Sequence, residues 1–114
     1  MSNEDLIRLR HMLDAARQIV SFTQTRLKDD LDTDDMLRLS VVKLLEIVGE
    51  AAKNVSQNLK DDYPLIMWKQ IGATRDRLVH GYYDVDVNIV WGIITQNLPP
   101  LIAALEKMIL SEES

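Results

Sequence analysis

Residues 41–52 read Val41-Val42-Lys43-Leu44-Leu45-Glu46-Ile47-Val48-Gly49-Glu50-Ala51-Ala52, and apolar side chains occupy more than one face of the helix that this run predicts. A helix that is apolar over such a width is expected at the centre of a fold, where several neighbours contact it. Gly49, Ala51 and Ala52 are small enough for another helix, including one from a second subunit, to approach closely. The pattern predicts a central helix from about Asp35 to Leu59.

The segment before the central helix carries a narrower apolar stripe. Its members recur every three or four residues and predict a helix from about Glu4 to Lys28: Leu6, Leu9, Leu13, Ala16, Val20 and Leu27. The acid-rich run from Asp29 to Asp35 is expected to end this helix and to supply an N-cap for the next one.

The second half of the chain predicts two short helical pieces and one long helix. Pro64 suits the first turn of a short helix containing Leu65, Ile66, Trp68 and Ile71, and a further stretch from Ala73 to about Val79 is expected to stop at His80-Gly81. Asp84-Val85-Asp86 is expected to cap the last helix, which starts near Val87, kinks or breaks at Pro99-Pro100 and frays from Ser111 to Ser114.

These elements predict an all-α fold, since no β-rich alternating segment or internal repeat is found. Four principal helices with brief connections favour an up-and-down four-helix bundle with a short additional helix, in a single domain over residues 1–114.

The composition excludes several classes of site. The chain has 114 residues and no Cys, so disulfides, thiolate metal sites and thiol nucleophiles are excluded. The two histidines, His11 and His80, lack the spacing of metal ligands, and we expect no metal or cofactor. The acidic start and the lack of an apolar run near ~18 residues predict a cytoplasmic protein that does not contact a membrane.

The net charge of −5, from 13 Lys and Arg against 18 Asp and Glu, argues at first against a nucleic-acid partner. The charge is unevenly distributed, however. Lys69, Arg75 and Arg77 stand against Asp76 alone between Lys69 and Tyr83, which gives that segment +2 and leaves −7 for the rest. The whole-chain charge is therefore too coarse a measure to exclude a nucleic-acid partner for this segment.

The segment Arg75-Asp76-Arg77-Leu78-Val79-His80-Gly81-Tyr82-Tyr83 carries the candidate chemistry. Arginine supplies a rigid fork of donors for a phosphate, and histidine can exchange a proton near neutral pH. Arg75 and His80 would lie about 140° apart on an ideal helix. If the helix ends at Gly81, His80 can turn toward the arginine. The pair suffices for metal-free RNA cleavage by the 2′-hydroxyl.

The same residues also allow a purely structural interpretation. Arg77 could pair with a carboxylate such as Asp76 of a neighbour, His80 could cap helix carbonyls, and Tyr82 could pack. His11 is expected to be an ordinary surface histidine, and Glu50 a boundary charge rather than a catalyst.

Arg75 to Tyr82 resembles the Arg-x4-His-x-Tyr motif of the HepT-like toxins, a minimal branch of the HEPN ribonuclease superfamily. The likeness extends to three further runs: Ile47-Val48-Gly49-Glu50-Ala51-Ala52, Tyr63-Pro64 through Trp68, and Leu98-Pro99-Pro100-Leu101. It therefore covers almost the whole chain in the family's order.

The resemblance implies a HEPN-like bundle that dimerises and cleaves RNA without a metal. Arg75 would hold the scissile phosphate, His80 would transfer protons, and Asp76 and Arg77 would support the site. Tyr82, or its neighbour Tyr83, would accept AMP from a cognate minimal nucleotidyltransferase (MNT) antitoxin, which would block RNA by bulk and charge. Two other interpretations stay open: a non-catalytic helical substrate-binding subunit of a nucleotidyltransferase, and a structural dimerisation bundle.

Overall fold

The computed structural model describes residues 1–80 and 84–113, and it describes the side chains of all of these except Val79 and His80. Gly81, Tyr82, Tyr83 and Ser114 lie outside the described residues. The helices are α1 (Asn3–Thr23), α2 (Asp30–Thr33), α3 (Asp35–Asn54), α4 (Gln57–Asp62), α5 (Trp68–Gly72), α6 (Thr74–Leu78), α7 (Val87–Gly92) and α8 (Leu98–Glu113). A π-helical segment (Ile93–Asn97) joins α7 to α8, and two short strands, β1 (Val79–His80) and β2 (Asp84–Val85), precede α7.

The described chain is mostly helical, which confirms the all-α expectation. Three long helical segments dominate it: α1, α3 and the continuous run from α7 to α8. α1 packs against both α3 and α8, while α5 and α6 pack against α3. The up-and-down arrangement of four helices and the single-domain boundary stay predictions.

The first helix is shorter than predicted. It ends at Thr23, whose Oγ1 donates to the carbonyl of Ile19 at 2.7 Å, and Leu27 is 72% exposed beyond it. The acid-rich run forms the short helix α2, because Leu31 inserts its side chain into the core. Asp34 accepts from the backbone N–H of Leu37 at 3.0 Å, so the N-cap predicted within this run is confirmed.

The central helix is also shorter than predicted, because a tertiary contact breaks it at Val55. Buried Asp5 of α1 accepts from the backbone N–H of Ser56 at 2.8 Å and from its hydroxyl at 2.5 Å. Ser56 Oγ in turn accepts from the backbone N–H of Leu59, which starts the separate helix α4. The chain therefore turns at Ser56 instead of continuing to Leu59.

The last helix starts at Val87 as predicted, but the short helices before it have different bounds. Pro64 precedes the short helix, which starts at Trp68, and α6 ends at Leu78, where Val79 and His80 form β1. The two strands have two residues each and pair in antiparallel register, Val79 with Val85 and His80 with Asp84. This small ladder was not predicted, since two-residue strands leave no alternating pattern in the sequence.

Pro99 and Pro100 lie in the first turn of α8 rather than in the middle of a regular helix. The π-helical segment just before them bonds the N–H of Leu98 to the carbonyl of Ile93, five residues back. The hydrogen-bond pattern therefore shifts at the point where the two prolines supply no donors. Asp86 caps α7 by accepting from the N–H of Ile89, as predicted. Ser111, Glu112 and Glu113 are helical, and fraying of the tail stays a prediction.

The buried core is continuous across the three long helices. One part centres on residues from α1, α3 and α8, including Leu9, Met12, Ala52 and Leu105. The other part centres on residues from α2, α3, α6 and α7, including Leu31, Leu45, Leu78 and Val90. Leu44, Leu101 and Ile102 pack against both parts, so the elements near α6 rest on the same core as the rest.

The helical run Val87–Glu113 is long and apolar enough to cross a membrane by length and composition alone. This corrects the expectation that no segment approaches that length. Its inner face contacts α1, yet only 22% of its most apolar stretch of 18 residues is buried. An apolar surface is therefore left on the outside of this helix.

Candidate functional site

The motif arginines project from α6 because the two ends of that helix are anchored in the protein. Thr74 is buried and donates its hydroxyl to the carbonyl of Gln70, and Leu78 is fully buried in the core. Residues 74 and 78 are one turn apart and therefore face inward together. Arg75, Asp76 and Arg77 consequently occupy the outer surface, where all three side chains are exposed.

Arg75 is held by an acid that the sequence interpretation did not single out as a site residue. Its Nε donates to Glu46 Oε1 of α3 at 3.2 Å, and the side chains of Arg75 and Glu46 are 67% and 30% exposed. The contact uses the Nε edge of the guanidinium. Among the described residues the two terminal nitrogens have no recorded bond, so that edge can face a phosphate.

The short helix before α6, α5, packs closely on α3 at Gly49. A Cβ built on Gly49 would lie 3.0 Å from the backbone oxygen of Ile71 in α5. The neighbour of this small residue is therefore α5 of the same chain, and Ala52 is buried in the core. The predicted close approach of another helix is therefore confirmed at Gly49, and a contact with a second subunit stays a prediction.

His80 lies two residues after the end of α6, and its side chain is not described. The helix ends at Leu78, whose carbonyl accepts from the N–H of Asp86 at 2.7 Å, and His80 pairs with Asp84 in the hairpin. The backbone of His80 therefore lies two residues beyond the anchored end of α6. The relation of its imidazole to Arg75 stays a prediction, and Gly81, Tyr82 and Tyr83 lie outside the described residues.

Arg77 and Asp76 line different depressions on either side of α6. Arg77 borders an apolar cavity of about 300 Å³ together with Leu65, Met67, Pro100 and Leu101. Asp76 borders an open cleft of about 820 Å³ whose lining includes Lys53, Lys60 and Lys69. No ion pair is recorded for either motif residue within the part of the chain that the structure describes.

The two remaining candidates lie on the surface. Glu50 is exposed, and its Oε1 accepts from the amide of Asn54 at 3.2 Å, while the acid that pairs with Arg75 is Glu46. His11 is exposed on α1. Across residues 1–80 and 84–113 no group of three or more His, Cys, Asp or Glu side chains is placed to hold a metal ion.

Sequence reasoning missed Glu46 and the lysine-lined cleft. Glu46 is 29 residues from Arg75, and a sequence pattern does not show which face of α3 receives α6. The weak signal that was available is that Glu46, Gly49 and Lys53 share one side of a helix.

Comparisons with known proteins agree on one family for this chain. The model of the family described as "Ribonuclease HepT-like" matches residues 12–108. A Thermococcus cleftensis protein named "Probable ribonuclease HepT" is 33% identical over 100 residues, which cover 88% of this chain and 91% of that protein.

Two further relatives cover similar lengths. "Putative RNase MJ0127" of Methanocaldococcus jannaschii is 31% identical over 101 residues, which cover 89% of this chain and 84% of that protein. "Putative RNase TTE0752" of Caldanaerobacter subterraneus is 29% identical over 105 residues, which cover 92% of this chain and 94% of that protein. No solved structure gives a significant match.

Proposed function

Because the chain belongs to the HepT-like ribonuclease family, we propose that it is an endoribonuclease that cleaves RNA without a metal ion. The observation that carries this proposal is the exposed guanidinium of Arg75, held through its Nε edge by Glu46 beside the segment that contains His80. An arginine held this way offers two parallel donors to a phosphate.

The proposed chemistry is attack by a ribose 2′-hydroxyl on its own phosphate. The imidazole of His80 takes the 2′-hydroxyl proton while the O2′–P bond forms. Arg75 stabilises the negative charge that develops on the non-bridging oxygens. The P–O5′ bond then breaks, O5′ receives a proton, and the products carry a 2′,3′-cyclic phosphate and a 5′-hydroxyl.

The chain acts as a homodimer in this proposal, because each copy offers one motif histidine whereas the reaction needs both a base and an acid. His80 of a second copy would protonate the leaving O5′. Asp76 and Arg77 support the site, with Asp76 helping to orient it and Arg77 adding positive charge.

The apolar cavity beside Arg77 is the contact surface that we assign to the second copy. Leu65 at its edge is 96% exposed and Met67 is 58% exposed. Contact of these apolar side chains with water is unfavourable, so a partner that covers them is favoured. This surface continues onto the apolar outer side of α8 at Pro100 and Leu101. A partner seated there would bring two copies of α6 close together, since Arg77 borders the same cavity.

The biological role that we propose is the toxin of a toxin–antitoxin pair that acts in the cytoplasm. Its cognate MNT nucleotidyltransferase antitoxin would transfer AMP from ATP to the hydroxyl of Tyr82 and release pyrophosphate. The added phosphate would carry negative charge into an RNA site and repel the substrate. This part of the proposal is supported by the motif tyrosine in the sequence, two residues after His80.

Three cultures test the function. One expresses the chain alone, one expresses it with the nucleotidyltransferase, and one expresses the His80→Ala variant alone. Growth arrest and RNA fragmentation by the wild type alone are expected, with both absent in the other two cultures. A non-catalytic substrate-binding subunit would instead leave RNA intact in every culture. Equal fragmentation by wild type and His80→Ala would overturn the assigned role of His80.

A further inference from the structure

The open cleft on the Asp76 side of α6 is basic, although the chain as a whole is acidic. Its lining includes Lys53, Lys60, Lys69, Gln57, Gln70 and Asp76. Three cations and one acid give this lining a net charge of +2, whereas the whole chain carries −5. Positive charge is therefore concentrated at one surface that adjoins the motif helix.

The lysines of the cleft keep their charges available. Between described residues, each recorded ion pair uses an arginine or the N-terminal amine as its cation, and none uses a lysine. Lys60 Nζ donates to the carbonyl of Lys53 at 3.3 Å. Lys53 and Lys69 are both exposed. These two ammonium groups can bind an anion without first breaking an ion pair.

The stem of Lys53 is fixed against α5, which gives the cleft a defined wall. A Cβ built on Gly72 would lie 2.9 Å from Lys53 Cγ, so the lysine stem crosses α5 where that helix has no side chain. Such a stem is packed while its ammonium reaches solvent. Substitution by Gln keeps Cβ and Cγ and therefore preserves this packing.

The cleft lies within reach of an RNA strand bound at Arg75. Glu46, which holds Arg75, and Lys53 are seven residues apart on α3, or about 10.5 Å along the helix axis. A single RNA strand covers this distance within a few nucleotides. Phosphates flanking the cleaved bond would therefore fall beside the cleft.

We propose that this cleft is an extended RNA subsite, in which Lys53 and Lys69 bind backbone phosphates a few nucleotides from the scissile bond. The inference rests on the ribonuclease function proposed above and adds a site outside the family motif. Because lysine binds phosphate as a point charge, the subsite contributes affinity without reading base sequence. It also explains how an acidic chain confines RNA to one surface.

The test compares two double variants that change the net charge equally. Lys53→Gln/Lys69→Gln alters the cleft, and Lys28→Gln/Lys107→Gln removes two lysines that do not line it. The probe is a fluorescein-labelled RNA of about 12 nucleotides, a length within the range of single-strand sites, with 2′-O-methyl groups that prevent cleavage. Its Kd is measured by anisotropy between about 50 and 200 mM salt.

Loss of two phosphate contacts lowers the slope of log Kd against log salt by about 1.4 for a single strand. Over this fourfold range of salt, the Kd of the wild type should therefore rise about sevenfold more than that of the cleft variant. The control variant should retain the wild-type slope. Equal slopes for the cleft variant and the wild type, or equal losses in both double variants, would overturn the subsite.

Cleavage assays separate this inference from the proposed function. With an unmodified RNA dinucleotide, which is too short to reach the cleft, the cleft variant should match the wild type. With an unmodified longer RNA its KM should rise while kcat stays unchanged. If the wild type binds RNA with the expected slope but cleaves neither RNA, the ribonuclease function is refuted and the RNA subsite is still supported. If the wild type binds no RNA, both proposals are refuted.

Discussion

Glu46 Oε1 of α3 lies 3.2 Å from Arg75 Nε of α6, and this contact joins the central helix to the candidate site. A carboxylate on the Nε edge limits the rotation of an arginine whose side chain is otherwise largely exposed. It also places a negative charge near the position that we assign to the scissile phosphate. We therefore expect Glu46 to position Arg75 for the proposed reaction and to weaken RNA binding.

Replacing Glu46 should change kcat and KM in the same direction. An exposed ion pair contributes about 0.2–1 kcal/mol, so Glu46→Ala should lower kcat by about 1.5- to 5-fold. KM should also fall, because a charge that repels phosphate is removed. Steady-state cleavage of one RNA, with thermal unfolding as a check of the fold, measures both.

Glu106→Gln is the matched control, since Glu106 forms an exposed pair with Arg17 at 3.4 Å on a surface away from α6. Its kinetics should equal those of the wild type. An unchanged kcat in Glu46→Ala, or a raised KM, would show that Glu46 does not position Arg75.

Asp5 should make stability depend on pH. Burial raises its pKa, but hydrogen bonds from the Ser56 side chain and backbone and from Ser2, with the charge of Arg8, outweigh that effect and hold the pKa below its ordinary value. A lowered pKa stabilises the folded state fully above the unfolded value of about 3.9, and the benefit is lost as pH falls through the folded pKa.

Asp5→Asn should therefore lower the free energy of unfolding by about 2 kcal/mol at neutral pH, since charge-assisted hydrogen bonds are lost. The difference from the wild type should shrink as the pH falls below about 4. Denaturant unfolding at several pH values measures it. Exposed Asp14 on the same helix supplies the control Asp14→Asn, and a difference that stays constant with pH would contradict this account.

Leu65→Glu should convert the proposed dimer to a monomer. Leu65 is 96% exposed at the edge of the apolar cavity, so its replacement should change the stability of the monomer by less than about 0.5 kcal/mol. Light scattering should show half the mass, and cleavage should be lost because the second histidine is absent.

Leu27→Glu is the control for that experiment, because Leu27 is 72% exposed and does not border the cavity. It should remain dimeric and active. A dimer that persists in Leu65→Glu would place the interface elsewhere on the molecule.

Tyr82→Phe should keep the nuclease active while preventing its neutralisation. Removing the hydroxyl leaves no acceptor for AMP at that position, so RNA cleavage should persist after incubation with the nucleotidyltransferase and ATP. Intact-mass spectrometry should show the added AMP on wild type and on Tyr83→Phe only. Modification of Tyr82→Phe would reassign the acceptor.

The local features of the fold could be predicted, because they depend on neighbours in the sequence. The N-caps Asp34 and Asp86 and the all-α class follow from spacing and side-chain chemistry. The break at Ser56 was missed, because it depends on Asp5, a residue 51 positions away. Helix propensity alone would carry α3 through that point.

The candidate site likewise combines residues that are close together in the sequence with residues that are far apart in it. The motif containing Arg75 is local, so its exposed place on a short helix could be anticipated. Glu46 and Lys53 reach the site only because Gly49 and Gly72 let α5 pack closely on α3. Contacts of this kind are set by packing and leave no periodic signal in the sequence.

The most direct test of the central claim is cleavage of a defined RNA by the purified chain in excess chelator, with analysis of the product ends. The wild type should produce 2′,3′-cyclic phosphate and 5′-hydroxyl ends, while Arg75→Ala and His80→Ala should lower the rate by at least about a hundredfold. Cleavage that needs an added divalent metal, or that continues at the wild-type rate in both variants, would contradict the account.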